Sequence, residues 1–164
     1  MFEFPPTVIL RHKQENLKKC SLKGLETRND IRFLTYPKDP LPHLENYILL
    51  DLDAPPLTRE DGDKGIFLID GTWRYAALMH RYVKKHGSFH LRSVPGHCRT
   101  AYPRKQTDCS DPERGLASVE ALFLAYAILG RNVEGILDNY YWKDAFLKLN
   151  GMEYANTFKA RAEY

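Results

Sequence analysis

The chain has 164 residues, of which 43% are hydrophobic and 27% are charged, as expected of one folded domain of ordinary size. No apolar run approaches the ~20 residues that a membrane helix needs, so the sequence argues against a membrane-spanning protein. Three cysteines are too few and too scattered for a disulfide framework.

The N-terminal stretch from Met1 to Arg11 lacks the basic start and small-residue cleavage site of a signal peptide. We therefore expect a cytoplasmic protein. No CxxC pair is present, which disfavours a structural zinc site, and we predict no metal. A metal held by Cys98, His90 and His97 is the lesser alternative to three reduced thiols, because thiolate–imidazole sites usually show tighter spacing.

The net charge of +3 is unevenly distributed, since residues 71–107 contain no Asp or Glu. The basic and histidine residues of that stretch are Arg74, Arg81, Lys84, Lys85, Arg92, Arg99, Arg104, Lys105, His80, His86, His90 and His97. A second basic group lies within residues 11–23, whereas residues 39–70 are acidic. Such segregation suits a polyanion-binding face. RNA or another polyanion is thus weighed against a solvated basic face without a partner.

Short apolar runs between turn residues predict strands in chain order. They are Thr7 to Arg11, Ile31 to Tyr36, Tyr47 to Leu52, Ile66 to Asp70 and Ser88 to Val94. The run ending at Asp70 is continuously apolar, as in a buried parallel strand.

Helical patterns alternate with these strands. The predicted helices are Thr72 to His86 with Thr72 as cap, Ser118 to Leu129 with Ser118 as cap, Val133 to Asn150, and a helical tail to Tyr164. Gly96 to Gly115 reads as a long loop, and such loops are usually functional or mobile. The alternation predicts an α/β fold with a mainly parallel sheet and flanking helices.

The most informative segment is IFLIDGTWRYAAL, residues 66–78. Ligands of open α/β sheets bind at the carboxyl ends of strands, and a helix N-terminus there offers N–H groups to an anion. Asp70 is placed to orient a substrate or act as a base, and Trp73 to wall an apolar pocket. Backbone capping by Asp70 and core packing by Trp73 are the alternatives. The sequence contains no GxGxxG, GxxxxGK[ST], GxSxG or deaminase pattern.

Five motifs then carry a resemblance to a known family. DGTW at 70–73 resembles the hallmark of the DTW-domain RNA aminocarboxypropyltransferases, and CRTAYPRKQ at 98–106 resembles their basic segment. LKKCSLKGL at 17–25, ASVEAL at 117–122 and WKDAFLKLN at 142–150 are similar to runs of their ribosome-biogenesis relatives, which modify small-subunit rRNA. The cysteine-rich zinc element of many DTW proteins is missing, and the acid before the KKC run is matched only loosely by Glu15. The mixture leaves the RNA target open.

The resemblance implies a fold and a reaction. The fold would be the knotted, SPOUT-like α/β domain, with an N-terminal α/β part over about 1–65, a cofactor-binding part over about 66–150, and a helical C-terminus. The cofactor would be S-adenosylmethionine, whose 3-amino-3-carboxypropyl group is transferred to N3 of a uridine or pseudouridine in rRNA or tRNA, with 5′-methylthioadenosine released.

The resemblance also suggests roles for individual residues. Asp70 would orient the base or accept its N3 proton. The candidates for cofactor binding are Ser21, Leu50, Leu68, Trp73, Leu91 and Ser118. The candidates for RNA binding are Lys18, Lys19, Lys23, Arg74, Arg99, Arg104 and Lys105.

Three other functions remain open at this point. A SPOUT-type RNA methyltransferase would share the fold but transfer the methyl group. A ribosome-assembly factor would bind RNA without catalysis or cofactor. A small-molecule enzyme would turn over the cofactor without RNA. We expect a monomer and no membrane partner.

Overall fold

A computed structural model describes residues 4–18, 20–103 and 115–152, and in this part of the chain five strands form one sheet. They are β1 (Thr7–His12), β2 (Ile31–Tyr36), β3 (Tyr47–Leu50), β4 (Gly65–Asp70) and β5 (His90–Arg92). Their order is β2-β1-β4-β3-β5, and each neighbouring pair is parallel. The predicted α/β fold with a mainly parallel sheet is confirmed.

Helices cover both faces of this sheet. They are α1 (Trp73–His86), α2 (Ser118–Ile128) and α3 (Lys143–Leu149), and two short 3-10 turns span Leu25–Thr27 and Arg59–Asp61. None of the described helices is long and apolar enough to cross a membrane.

Alternation along the strands divides the core into two layers. In β4, Phe67 packs with Met79 and Val83 of α1, together with Val8, Leu10 and Leu49 from neighbouring strands. On the opposite face, Ile66 and Leu68 pack against α2. Helix α2 has apolar residues on every side, and all its residues from Val119 to Ile128 except the half-buried Ala121 are buried, as expected of a helix enclosed by other elements.

Two predicted strands are longer than the observed ones. β3 ends at Leu50 rather than Leu52, because the chain turns after Asp51, whose carbonyl accepts from the Ala54 N–H at 3.3 Å. β5 covers only His90–Arg92 instead of Ser88 to Val94, since it pairs with the three residues of β3 that remain opposite it. Beyond that point Ser93 makes an isolated bridge to Pro56.

The prediction of a helix over Val133 to Asn150 is wrong for its first half. The chain forms successive turns there, and Gly135 has a φ of +81°, outside the right-handed helical region. The Arg28 guanidinium also binds the carbonyl oxygens of Glu134, at 2.8 Å, and Asn132, at 3.4 Å. A helix would use the first of these carbonyls for its own backbone bonds, and helix formation begins only at Lys143.

The helix starts also differ from the predicted caps. Thr72 occupies the cap position of α1 but makes no side-chain capping bond. Ser118 lies inside α2 rather than capping it. Ala117 is the cap residue, and the Glu120 carboxylate accepts from its N–H at 2.8 Å. Gly130 follows the end of α2 with a φ of +74°, which fits the predicted stop.

The predicted division near residue 65 does not separate the strands in space, because β4 lies between β1 and β3. Residues 104–114 of the predicted loop and 153–164 of the predicted helical tail lie outside the described residues. The knot, the single domain and the helical C-terminus stay predictions.

Candidate functional site

A cavity of about 560 Å³ opens where β3 and β4 end, between the sheet, α1 and α2. This is the edge at which open α/β sheets bind their ligands, and the volume falls within the ~300–1,000 Å³ usual for small-molecule sites. Gly71, directly after β4, and Ser118, at the start of α2, both line it.

The cavity has an apolar wall and a charged rim. The wall includes Leu50, Leu68, Ala76, Val94, Leu116 and Ala121. The rim includes Asp51, Asp53, His80 and Lys84. The Asp51 carboxylate lies 3.8 Å from the Lys84 ammonium and 4.0 Å from His80 Nε2. Burial lowers the pKa of His80 despite the nearby Asp51 charge, which favours the neutral imidazole. The site can therefore hold a ligand with both apolar and cationic parts.

Asp70 lies beside this cavity and is 4% exposed. Its partner in the parallel β1–β4 register is Arg11, whose Nε donates to Asp70 Oδ2 at 3.2 Å. The Cys20 thiol donates to the same oxygen at 3.2 Å, and the Ser118 hydroxyl donates to Oδ1 at 2.9 Å. Both carboxylate oxygens are thus engaged by the fold, which holds Asp70 in one orientation.

Arg11 balances the charge of Asp70 inside the protein. Its guanidinium stacks 4.4 Å from the Phe33 ring centroid and lies 3.3 Å from Glu26 Oε1. Burial and the Asp70 charge raise the pKa of the Cys20 thiol to about 12, so Cys20 remains protonated and acts as a donor. The cluster is therefore arranged around the Asp70 carboxylate, which accepts hydrogen bonds from Arg11, Cys20 and Ser118.

Glu15 adds a third carboxylate to this cluster, after Asp70 and Glu26. One of its carboxylate oxygens, the Cys20 sulfur and an Asp70 oxygen all lie within 4.8 Å of one another. Burial and then the Asp70 charge raise the pKa of Glu15, against the opposing charge of Arg11. The hydrogen bonds from Arg11 and Ser118 already engage both oxygens of Asp70.

Two serines meet at the start of α2. Ser118 lines the cavity and binds Asp70, whereas the Ser21 hydroxyl oxygen accepts from the Val119 N–H at 3.3 Å. Because Ser21 acts as an acceptor in that bond, its own hydroxyl proton remains able to donate to an anion. The helix N-terminus adds a favourable field for a negative group.

Glu120 organises the loop beside the cavity, although its side chain is 0% exposed. Its carboxylate accepts from the Thr100 hydroxyl at 2.6 Å and the Ala101 N–H at 2.8 Å. It also accepts from the Ala117 N–H at 2.8 Å and the Tyr140 hydroxyl at 3.1 Å. These four donors compensate its burial and tie the 100–101 loop to the start of α2.

Not all of the predicted cofactor residues meet in this cavity. Leu50, Leu68 and Ser118 line it, whereas Leu91 and Ser21 are not among its lining residues. Leu91 packs with the α1 layer, and the Ser21 hydroxyl contacts the start of α2. The side chain of Trp73 lies outside the described part of the structure.

Four of the seven predicted RNA residues belong to the described part of the chain, and all four are exposed. Lys18, Lys23 and Arg74 are exposed, and so is Arg99, whose guanidinium also donates to the Gly96 carbonyl at 2.5 Å. The other three, Lys19, Arg104 and Lys105, lie outside the described residues. Among the residues that are described, Cys98, His90 and His97 do not bring their ligand atoms close enough together to share a metal ion.

Sequence reasoning missed Arg11, Cys20 and Glu120 as members of the site. Arg11 could have been found from the sequence. It ends one predicted apolar strand and Asp70 ends another, which suggests an ion pair where the two strands are neighbours. Glu120 was visible only as an acid in the first turn of a helix. Its loop partners could not be inferred from spacing.

No family model matches the chain, and no curated protein matches it. Among solved structures, it is similar to the structure of the SAM-dependent rRNA:acp-transferase Tsr3 from Vulcanisaeta distributa. The identity is 25%, the match covers 95% of this chain and 84% of that one, and the TM-score is 0.68. The two chains therefore share a fold over nearly the whole length of this one.

Proposed function

We propose that this chain is an S-adenosylmethionine-dependent RNA transferase. It moves the 3-amino-3-carboxypropyl group to N3 of a uridine or pseudouridine, with 5′-methylthioadenosine as the by-product. The observation that carries the proposal is the cavity beside the Asp70–Ser118 pair, in a fold similar to an SAM-dependent rRNA:acp-transferase. The substrate named for that protein favours rRNA over tRNA here.

The residues around the cavity fit this cofactor. Its apolar wall, with Leu50 and Leu68, suits the adenine and the sulfonium methyl group. The carboxylates of Asp51 and Asp53 on the rim suit ribose hydroxyls and a cation. At the other end, the Ser21 hydroxyl and the start of α2 suit the amino-acid carboxylate.

When bound, S-adenosylmethionine supplies a sulfonium whose attached carbons are all activated, so that orientation decides which one reacts. In this chain, Leu50 and Leu68 would enclose the methyl group and exclude water from it. Ser21, which contacts the start of α2 next to the lining residue Ser118, would hold the carboxylate, and the carboxypropyl chain would face the RNA.

The acceptor nitrogen must lose its proton. Ser118 lines the cavity and already donates to Asp70, so we assign the pair as a relay. The N3 proton passes to the Ser118 oxygen while the Ser118 proton passes to Asp70 Oδ1. Arg11 and Cys20 hold Asp70 for this task.

The rRNA side of the site would include the exposed cations Lys18, Lys23, Arg74 and Arg99, with Lys19, Arg104 and Lys105 as further candidates. Contacts of this kind neutralise phosphates, so binding should weaken steeply with salt.

The test is to incubate the purified chain with S-adenosylmethionine and unmodified rRNA, then identify by mass the small by-product and the nucleosides of the digested RNA. Methylthioadenosine together with an aminocarboxypropyl uridine or pseudouridine is the expected result. S-adenosylhomocysteine with a methylated nucleoside would instead show a methyltransferase. RNA binding without measurable affinity for the cofactor would show an assembly factor.

A further inference from the structure

Helix α1 presents four unlike surfaces. Met79 and Val83 pack into the sheet. The flank that lines the cavity carries Ala76, Ala77, His80 and Lys84. The other flank carries Tyr75, Tyr82 and His86, and the crest between the flanks carries Arg74, Leu78, Arg81 and Lys85.

The aromatic flank continues beyond α1 onto the ends of two strands. Tyr75 stacks on His12, with ring centroids 3.9 Å apart and planes 12° apart. Tyr36 lies 5.8 Å from His12 and 5.3 Å from Tyr82, which in turn lies 4.7 Å from His86. The three tyrosines are half-buried and His86 is exposed. The result is a row of rings, called here the aromatic row, beginning next to Arg11 at the candidate site.

The crest of α1 is basic. Arg74, Arg81 and Lys85 are exposed, and no carboxylate of the described residues forms an ion pair with them. Lys84, on the cavity flank, differs in pairing with Asp51. Leu78 is 46% exposed between these cations. From Arg74 to Lys85 the crest is about 16 Å long at ~1.5 Å per residue.

We propose that the α1 crest and the aromatic row bind an unpaired RNA segment next to the target nucleotide. This rests on the proposed function and adds a specific surface to it. The crest cations would contact successive phosphates, while Leu78 and the accessible ring edges of Tyr75 and Tyr82 would contact bases. Because the opposite flank of the same helix lines the cavity, RNA held along the crest passes beside the cavity mouth.

Unpaired RNA fits this surface better than other anions do. A duplex is recognised mainly through its shape, phosphates and 2′-hydroxyls, whereas single strands combine cations with aromatic and apolar contacts to exposed bases. A membrane surface would need a broad outward apolar face. Among the described side chains of α1, the apolar Met79 and Val83 face the sheet instead, and Leu78 alone of the aliphatic residues Leu78, Met79 and Val83 is exposed.

The experiment compares R81Q/K85Q with the control R32Q/K143Q, which removes the same two charges elsewhere. The probes are a fluorescein-labelled oligouridylate and an RNA duplex of equal length, measured by anisotropy at several salt concentrations. In R81Q/K85Q, affinity for the oligouridylate should fall about tenfold. The salt slope, which is the slope of the logarithm of the binding constant against the logarithm of the salt concentration, should decrease in magnitude by about 1.4, or ~0.7 for each lost phosphate contact. The control should keep the wild-type values.

A second variant, Leu78→Ser, separates base contacts from charge. It should weaken oligouridylate binding about threefold with an unchanged salt slope, because no phosphate contact is lost. Both α1 variants alter exposed side chains and should keep the wild-type circular dichroism and cofactor affinity.

Unchanged RNA affinity and salt slope in R81Q/K85Q would overturn the proposal that the α1 crest binds RNA. If the wild-type chain still transferred the carboxypropyl group, the proposed function would stand without it. Equal losses on duplex and oligouridylate would overturn the claim that the segment is unpaired. A wild-type chain that bound neither RNA would overturn both proposals.

Discussion

Two buried polar clusters lie at opposite ends of the same sheet, and they use the same kinds of residue. At the amino ends of β1 and β2, the Arg28 guanidinium makes two bonds of 2.9 Å to the Asp30 carboxylate. The Tyr126 hydroxyl bridges Asp30, at 3.1 Å, and the Thr7 hydroxyl, at 2.7 Å. Arg28 also ties down the turns before α3.

At the carboxyl ends, Asp70 is bound by Arg11, Cys20 and Ser118. Ser118 also lines a cavity of about 560 Å³, whereas neither Asp30 nor Tyr126 lines a described cavity. A buried Arg–Asp pair is therefore not a functional signal in itself. Position at the carboxyl edge, with access to a cavity, distinguishes the two clusters.

The largest expected effect comes from exchanging the two aspartates for asparagine. Asp70→Asn should lower the single-turnover rate of transfer by about 100-fold or more, because it removes the final proton acceptor of the relay. Asp30→Asn is the matched control and should leave the rate of the folded protein unchanged. The measurement is the rate of label incorporation into RNA at saturating cofactor. Equal rates for the two variants would remove Asp70 from the mechanism.

Arg28→Ala should affect stability and spare the chemistry. It leaves the Asp30 carboxylate without its cation, and we expect a loss of about 2–3 kcal/mol in the free energy of unfolding, measured by urea titration. Transfer by the remaining folded protein should stay at the wild-type rate. A stable variant with slow transfer would contradict the division of roles between the two clusters.

Ser21→Ala should weaken cofactor binding by about tenfold, since it removes a hydrogen bond to a charged group. Isothermal titration calorimetry measures this change directly. Ser88→Ala, at an exposed position between α1 and β5 that does not line the cavity, is the control and should bind the cofactor normally. Wild-type affinity in Ser21→Ala would remove that residue from the cofactor site.

The smallest expected effect is a loss of stability at low pH, caused by protonation of Asp30. Burial works to raise the pKa of Asp30, but its bonds from Arg28 and the Arg28 charge dominate and hold it below the ordinary value of 3.8. Stability from this pair is therefore fully present above about pH 3.8 and is lost as the pH falls through the lower folded-state value. Unfolding followed from pH 5 to pH 2 should show this loss in the wild type and a smaller one in Arg28→Ala.

Much of the fold could be predicted from local pattern. The apolar run ending at Asp70 indicated a buried parallel strand, and it forms β4 in the middle of the sheet. The helix predicted from Val133 failed because Arg28, more than a hundred positions away, captures a carbonyl that the helix needs. A long-range side-chain contact of this kind leaves no trace in periodicity.

The site was only partly accessible to such reasoning. Asp70 and Ser118 were candidates, and the structure places Ser118 Oγ 2.9 Å from Asp70 Oδ1. Leu91 was a cofactor candidate but does not line the cavity, because a strand of only three residues gives too short a pattern to predict which side chains reach the site. Glu120 could not be predicted, since its role depends on where the chain from Thr100 to Ala101 returns to α2.

The most direct test uses S-adenosylmethionine labelled either in the methyl group or in the carboxyl group, with the purified chain and unmodified small-subunit rRNA. The account predicts that carboxyl label enters the RNA and that methyl label leaves with methylthioadenosine. Methyl label in the RNA, with carboxyl label left in the small-molecule fraction, would contradict it.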